Sequence, residues 1–420
     1  MRVMKLKRTL SLFDATSIGI GSIIGAGIFV VLGIAIGYAG PAIIISIIIA
    51  GVVASFTAFS FAELGSAIPK EGGVYEYAHE MISPSVGFVV GCLWLFAQTV
   101  AGAAISLGFA SYFVAMFPLF SLKIVAISVA LVLTALNLAG IKQSATVNNI
   151  LVLIKIAILC LFIGIGIFHI NSSNYSPFTP NGYYGILQGA AYIFFAYLGF
   201  GRIATLGEEV KNPKRTLPLS ILLALTISVI LYALIGFITT GLQDYRILAQ
   251  SGSPLADAAR VTGNFTMVAT ISFGALIATA SVILTNLIGL SRVSFAMARN
   301  GQLPKSIAKV QSKFGTPYVS ILIMGVLMAV LAFVFDLRQT AAITSFSVLS
   351  THVILNFSAI RLRKKIPNLK TFKAPLYPVI PLLGMVSCII LMFSLPKESW
   401  IVAAVVVILS SVYYLLRKRL

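Results

Sequence analysis

Lys155 stands in the run Ile150 to Ile167, an apolar stretch long enough to cross a bilayer, with no acidic residue in the span to pair with it. A lone ammonium at that depth costs at least ~2.5 kcal/mol on insertion scales, so such a residue marks an ion or proton pathway. Two glycine clusters offer the complementary chemistry. In Gly19-Ile-Gly-Ser-Ile-Ile-Gly-Ala-Gly27-Ile-Phe29 four glycines fall near mid-membrane, and each costs about 1 kcal/mol of helix propensity relative to alanine. Unwinding there frees backbone N–H groups at the start of the following half-helix, where the dipole also favours a carboxylate. The stretch Phe194-Phe-Ala-Tyr-Leu-Gly199-Phe-Gly201 is a second candidate break, whose free carbonyls suit an ammonium. Together the two breaks suit a zwitterion. The plainer alternative at each is that glycine lets helices pack closely.

Other chemistry is absent from the sequence pattern. His79, His169 and His352 lie in a loop, at a helix end and within an apolar run, without the Asp, Glu or Cys partners that a metal or nucleophile site needs. His352 is a candidate proton relay or a packed polar residue. Cys92, Cys160 and Cys388 occupy separate apolar runs, so neither a disulfide framework nor a metal site is expected. Glu63, Glu208 and Glu209 sit near helix ends, where ion pairs or gate contacts are expected. Asp14 reads as the cap of the first helix.

The elements that position these residues follow from composition. The 420 residues are 59% hydrophobic and 10% charged, with a mean hydropathy of +1.02. That leaves too little polar surface to coat a soluble globule, so the chain is an all-α polytopic membrane protein with lipid as its solvent. The net charge of +19 lies almost wholly between the apolar runs and orients helices, which argues against a nucleic-acid partner. A sliding window places twelve spans at Ala15–Tyr38, Pro41–Ile68, Ser85–Phe113, Leu122–Leu138, Asn148–Phe168, Tyr184–Leu206, Leu217–Thr240, Thr266–Ser291, Tyr318–Phe335, Thr340–Ile360, Pro378–Phe393 and Ser399–Leu416. With Lys155 and Arg202 placed in the membrane, the loops after even-numbered spans and the termini hold twenty-three Lys and Arg against five on the other side. By the positive-inside rule both termini face the cytoplasm. The basic start, Met1 to Leu10, runs into a full-length span without a cleavage site, so the first helix itself is expected to direct insertion. No large soluble domain or long linker is expected.

These residues resemble a known family. Gly21-Ser-Ile-Ile-Gly-Ala-Gly-Ile-Phe29, Phe61-Ala-Glu-Leu-Gly-Ser-Ala-Ile-Pro69 with Gly72-Gly73, and Gly207-Glu-Glu-Val-Lys-Asn-Pro-Lys-Arg-Thr-Leu-Pro218 resemble the amino acid-polyamine-organocation superfamily of transporters. Ser291-Arg-Val-Ser-Phe-Ala-Met-Ala-Arg-Asn-Gly-Gln-Leu-Pro304 and the basic loop after the tenth span extend the resemblance over nearly the whole chain, towards the proton-coupled and cationic amino acid transporter branch. It implies a five-plus-five inverted repeat with discontinuous first and sixth helices. The expected divisions are a cytoplasmic segment 1–13, a first repeat 14–170, a second repeat 183–362, and two peripheral helices with a cytoplasmic C-terminus over 375–420. It implies alternating access in the cell membrane, with no enzymatic activity and no cofactor beyond a proton gradient.

Residue by residue, the resemblance puts the substrate carboxylate at the amides of Gly25, Ala26 and Gly27, with Ile23 and Ile24 supplying carbonyls and packing. The substrate amine meets carbonyls of Phe195, Ala196 and Leu198, near Gly199. Tyr197 and Phe200 shape the pocket or simply pack. The departure is Gly201-Arg202, because many relatives carry aspartate where Gly201 stands. Arg202 is then a snorkelling cation, a helix-end ligand or, less simply, a substrate contact. Lys155 matches the fifth-span lysine that proton-coupled relatives place where sodium-coupled ones hold the ion. It would bridge carbonyls of the first span and hydroxyls of the eighth, with Thr279, Ser281 and Thr285 as partners. Snorkelling to the rim is the alternative for a lysine about seven residues, roughly 10 Å, into its helix. The expected function is proton-coupled uptake of neutral, apolar or small amino acids. An exchanger with Lys155 as a fixed charge is the near alternative, and a membrane-embedded enzyme or non-transporting sensor the distant one. Oligomeric state does not follow from the sequence.

Overall fold

The computed structural model describes residues 9–70, 72–140, 145–204, 209–311, 316–367 and 370–419. Arg2, Lys5, Lys7, Arg8, Lys142, Glu208 and Lys313 lie outside the described residues, as do Gly207 and the side chains of Lys418 and Arg419. Helices dominate, and the strand-like pairing among the described residues is an isolated bridge between Leu10 and Val210.

The chain enters through α1 (Leu12–Ile23), which starts three residues before the expected Ala15. Ser11 is its N-cap, and Asp14 fills the third helical position, accepting from the Ser11 amide at 2.9 Å. Asp14 therefore completes a reciprocal capping box and does not cap the helix itself, because the apolar run begins with Leu12. After a break, a π-helical turn (Gly27–Val31) leads into α2 (Leu32–Ala39). Gly40, at φ +64°, ends that leg in the left-handed region open to glycine, and α3 (Ile43–Ala67) follows. The short α4 (Val74–Met81) precedes α5 (Pro84–Met116), whose start is set by the Ser83 N-cap and a proline in the first turn. Lys70, bonded to Glu80 of α4 at 2.7 Å, holds that carboxyl below its ordinary range.

Next come α6 (Leu122–Leu138), α7 (Ala145–Gly166), α8 (Gly182–Ile193), a 3-10 stretch (Phe194–Phe200) and the short α9 (Gly201–Ala204). Beyond them lies α10 (Pro213–Leu242), and the loop after it carries the short helices α11 (Tyr245–Gln250) and α12 (Pro254–Arg260). The chain closes with α13 (Phe265–Arg299), α14 (Tyr318–Val334), α15 (Leu337–Lys365), α16 (Val379–Phe393) and α17 (Lys397–Arg419). Among the described residues, eight helical stretches are long and apolar enough to cross a membrane. The first of them, Leu12–Ala67, contains both legs divided at Gly40, and the shorter apolar helices α6, α14 and α16 accompany the eight.

Burial separates an inner group from a perimeter. Most of α1, the π turn, the α8 to α9 segment, α5 and α15 is buried, whereas α16 and α17 expose Leu382, Val386, Ile401, Ile408 and Leu409. Exposed rows of that kind suit a lipid solvent. The helix α7 shows both faces at once. Asn148, Val152, Lys155, Leu159, Phe162 and Gly166 are buried at alternating steps of four and three, while Ile150, Leu153, Ile154 and Leu161 face outward. That spacing is one face of an α-helix, so Lys155 is directed into the bundle.

Close to one end of the bundle, α3 and α15 are joined by a buried ion pair. Glu63 is fully buried and accepts from Arg363 Nε and, at 3.0 Å, from Arg363 Nη2. The Ala374 amide adds a bond of 2.9 Å to Glu63, and Arg363 returns one to the Ala374 carbonyl at 2.6 Å. The guanidinium also covers the Tyr377 ring at 4.3 Å, so the segment leading into α16 is held by the same pair. Glu209 likewise pairs with Arg292 at 2.8 Å. Removing one member of a buried pair leaves the other uncompensated, at a cost of about 3 kcal/mol. Glu63→Ala should therefore lower unfolding stability in detergent by about that amount, and Glu63→Gln with Arg363→Met by clearly less. Equal losses in the two variants, measured by thermal or denaturant unfolding, would count against this account.

Candidate functional site

The site is organised by the break in the first helix. α1 stops at Ile23, and Ile24 adopts an extended backbone, φ −74° and ψ 98°, before the π turn resumes the helix at Gly27. The interruption takes carbonyls out of the helical ladder, and buried acceptors of that kind need donors. Side chains from three other helices supply them. Lys155 Nζ of α7 donates to the Gly21 carbonyl at 2.9 Å and to the Ile24 carbonyl at 3.0 Å. The Tyr232 hydroxyl of α10 donates to the Ile23 carbonyl at 2.8 Å. The Tyr112 hydroxyl of α5 reaches the Phe29 carbonyl at 2.7 Å. The amides of Gly25 and Ala26 have no backbone acceptor among the described residues.

Lys155 is 1% exposed, so its ammonium does not snorkel to a rim. The helix begins at Ala145, ten residues before Lys155, which places it ~15 Å along the axis and deeper than the sequence pattern suggests. Its bonds differ from expectation in one respect. Thr279 and Ser281 turn their hydroxyls back onto the Ala275 and Ala278 carbonyls of α13, at 2.7 and 2.9 Å. Serine and threonine inside apolar helices readily satisfy themselves this way. Thr285 accepts instead from Arg202 Nη1, at 2.8 Å. The partners of Lys155 are thus main-chain carbonyls, and the α13 hydroxyls are engaged elsewhere.

The second expected break is milder than a gap. From Phe194 to Phe200 the chain tightens into a 3-10 helix and continues directly into α9. Mid-helix 3-10 stretches weaken the hydrogen-bond ladder without interrupting the path. Its contact with the first helix is close. A Cβ at Gly199 would lie 2.3 Å from the Ser22 carbonyl carbon and 2.4 Å from the Ile23 nitrogen, and one at Gly27 would lie 2.3 Å from Ala196 Cα. The two segments therefore cross backbone on backbone at two points, which is the close-packing use of glycine.

Between these segments, α5 and α13 lies a cavity of about 20 Å3, enough for roughly one water molecule. Of the expected residues, Ile23, Gly25, Ala26, Gly27, Phe195, Leu198 and Gly199 line it. Ile24, Ala196 and Tyr197 do not. Ile24 turns its carbonyl to Lys155, Ala196 packs on Gly27, and the Tyr197 hydroxyl donates to the Ile47 carbonyl at 3.2 Å. Phe200 packs edge-on against Phe61, with ring centroids 5.6 Å apart. Tyr197 and Phe200 are thus packing residues in this conformation.

The sequence pattern missed Ser22, Gln98 and Val282 as wall residues, and Arg202 also lines the cavity. Arg202 Nη2 donates to Asn286 Oδ1 at 3.0 Å, and Asn286 Nδ2 donates to the Gln98 carbonyl at 2.7 Å. Gln98 and Asn286 were visible as polar residues within apolar runs. Nothing in their spacing showed that they meet.

The amino acid permease family pattern matches residues 14–396. The methylthioribose transporter of Bacillus subtilis is 36% identical over 99% of this chain and 94% of its own length. The branched-chain amino acid permease BcaP of the same organism is 34% identical with the same coverage. The vacuolar cationic amino acid transporter 4 of Arabidopsis thaliana is 32% identical over 87% of this chain and 64% of its own length.

The crossing makes a stability prediction that needs no substrate. Gly199→Ala should cost about 1–3 kcal/mol or more, because its Cβ meets main-chain atoms that cannot step aside. Gly164→Ala in α7, where a Cβ meets nothing within 4 Å, should be neutral or slightly stabilising. Thermal melting of the two purified variants separates these outcomes, and equal melting temperatures would contradict the close crossing.

Proposed function

This chain belongs to the amino acid permease family, and from that premise we propose that it is a secondary active transporter that takes up neutral amino acids together with protons. The observation that carries the reading is the buried Lys155 ammonium bonded to Gly21 and Ile24 at the break, beside the cavity. A cation at that point ties α7 to the first helix through charge-assisted bonds, and loss of its proton weakens both ties. Substrate binding and proton binding then act on the same piece of backbone. The substrate carboxylate docks on the amides of Gly25 to Gly27, where a half-helix starts, and its amine faces carbonyls of the Phe195 to Leu198 stretch.

The cavity that the described residues line holds about one water, well below the size of an amino acid, so it must widen to take the substrate. Transport requires the first and sixth segments to separate from their surroundings on one side at a time. The backbone crossings at Gly27 and Gly199 keep those two segments moving as a unit. The N-terminal strand-like contact adds to this, with the Lys211 amide donating to Leu10 at 2.9 Å.

The proposed architecture is twelve spans. The Leu12–Ala67 stretch supplies two, the other long helices seven, and α6, α14 and α16 the remaining three. The spans form two inverted repeats of five with α16 and α17 outside, and both termini lie in the cytoplasm. The protein resides in the cell membrane, takes its driving force from the proton gradient and uses no cofactor. An exchanger with Lys155 permanently charged is the second reading, favoured by the ammonium's two carbonyl partners, which keep it bonded without a carboxylate.

Purified protein in liposomes, with labelled substrates and an imposed inward proton gradient, tests both readings. The substrate panel includes methylthioribose, since one relative is named for it. Gradient-driven uptake of neutral amino acids is expected, and Lys155→Ala should reduce it by at least about tenfold and flatten its pH dependence. Uptake in Lys155→Ala with unchanged pH dependence removes the coupling role. Uptake that requires amino acid preloaded inside establishes the exchanger.

A further inference from the structure

A second cavity, of about 10 Å3, lies next to the first on the side of α4. Phe61, Val74, Trp94, Val348 and His352 are among its walls. The two cavities share Gln98, Leu198 and Arg202, and of these Arg202 alone is charged. A ligand passing from one to the other meets Arg202. Its guanidinium is positioned by Thr285 at 2.8 Å and Asn286 at 3.0 Å, and Asn286 is itself tied to α5 through the Gln98 carbonyl. Arginine stays protonated across the physiological range, so it presents a fixed positive charge at the partition.

Among the described residues, the rest of the lining offers no negative charge to offset a second cation. No Asp or Glu lines either cavity among the described residues. Lys155 adds positive charge behind the break. The second cavity also holds an unsatisfied polar group. His352 is 4% exposed, sits among the rings of Phe61, Phe194 and Phe200, and its Nδ1 has no hydrogen-bond partner among the described residues. Buried polar atoms in that condition are completed by a water or a passing ligand. A polar atom is thus left beside the second cavity for a water or a ligand to complete, with the Arg202 charge on the same wall.

We propose that Arg202 is the charge-selecting residue of the substrate path, which passes amino acids with neutral or acidic side chains and rejects those with cationic ones. The proposal rests on the transport reading above. Bringing a lysine or arginine side chain past Arg202 sets like charges together in a site shielded from water, where repulsion is strongest. A neutral side chain pays no such cost.

Arg202→Met keeps the length of the side chain and removes the charge, while Arg202→Lys keeps the charge. In liposomes, the Met variant should raise the ratio of lysine or arginine uptake to leucine uptake by about tenfold or more, and the Lys variant should hold the wild-type ratio. Where the Met variant transports too slowly, its thermal shift in detergent serves instead, with lysine stabilising the variant and not the wild type. The proposal falls if the ratio stays within about twofold of wild type in a folded Met variant, or if lysine shifts both proteins alike. It also falls if the wild type takes up lysine as readily as leucine. Should the wild type move neutral amino acids and fail only this comparison, the transport reading stands. Should it move no amino acid of any charge, the transport reading is what has failed, and the selectivity proposal goes with it.

Discussion

The arrangement at the centre of this protein depends on one contact, the Lys155 ammonium on the carbonyls of Gly21 and Ile24. A buried cation needs acceptors, and a broken helix needs donors. Each supplies what the other lacks. The contact lets a charge sit 1% exposed in an apolar bundle and lets the first helix stay open at Ile24. Tyr232 and Tyr112 extend the same logic, with hydroxyls from α10 and α5 reaching carbonyls on either side of the break. The backbone of the first helix is held in an unusual shape by side chains that converge on it from three directions.

Packing makes that shape consequential. The glycines at 27 and 199 bring the first helix and the 3-10 stretch into main-chain contact, so a displacement of one is passed to the other. At one end of the bundle the Glu63–Arg363 pair does a comparable task for α3, α15 and the segment before α16. Fully hydrogen-bonded buried charges at such places favour discrete arrangements over gradual deformation. In the proposed cycle, movement is therefore concentrated at the centre, where bonds involve a proton-bearing lysine and weakened helical ladders.

Relatives named for methylthioribose, branched-chain amino acids and cationic amino acids all align with this chain over most of its length. One scaffold can carry different substrates because selection lives in a few wall residues and the helices are shared. Arg202, which lines both cavities, is the wall residue proposed for that role here. Its neighbour Gly201 faces Phe61 closely, and an added Cβ would come within 3.1 Å of the ring, tighter than ordinary van der Waals contact.

Much of this protein was legible in the residues themselves. Hydropathy is additive along the chain, so the helical class and most span positions follow from composition and window sums. Lys155 and the glycine runs stood out because a charge, or several glycines, in an apolar helix is costly wherever the helix lies. The pairings were a different matter. That Thr285 serves Arg202 and not Lys155, that Tyr197 faces Ile47 and not the cavity, and that the sixth segment tightens where a gap was expected are all set by how helices rotate about their axes. Gln98 and Asn286 are nearly two hundred residues apart in the chain, |i−j| = 188, yet they share a hydrogen bond. The sequence by itself determined which groups are too costly to leave unsatisfied. Only the tertiary structure decided which partner satisfies each, because rotation and crossing of helices are fixed by packing across the whole bundle, and no local pattern carries that information.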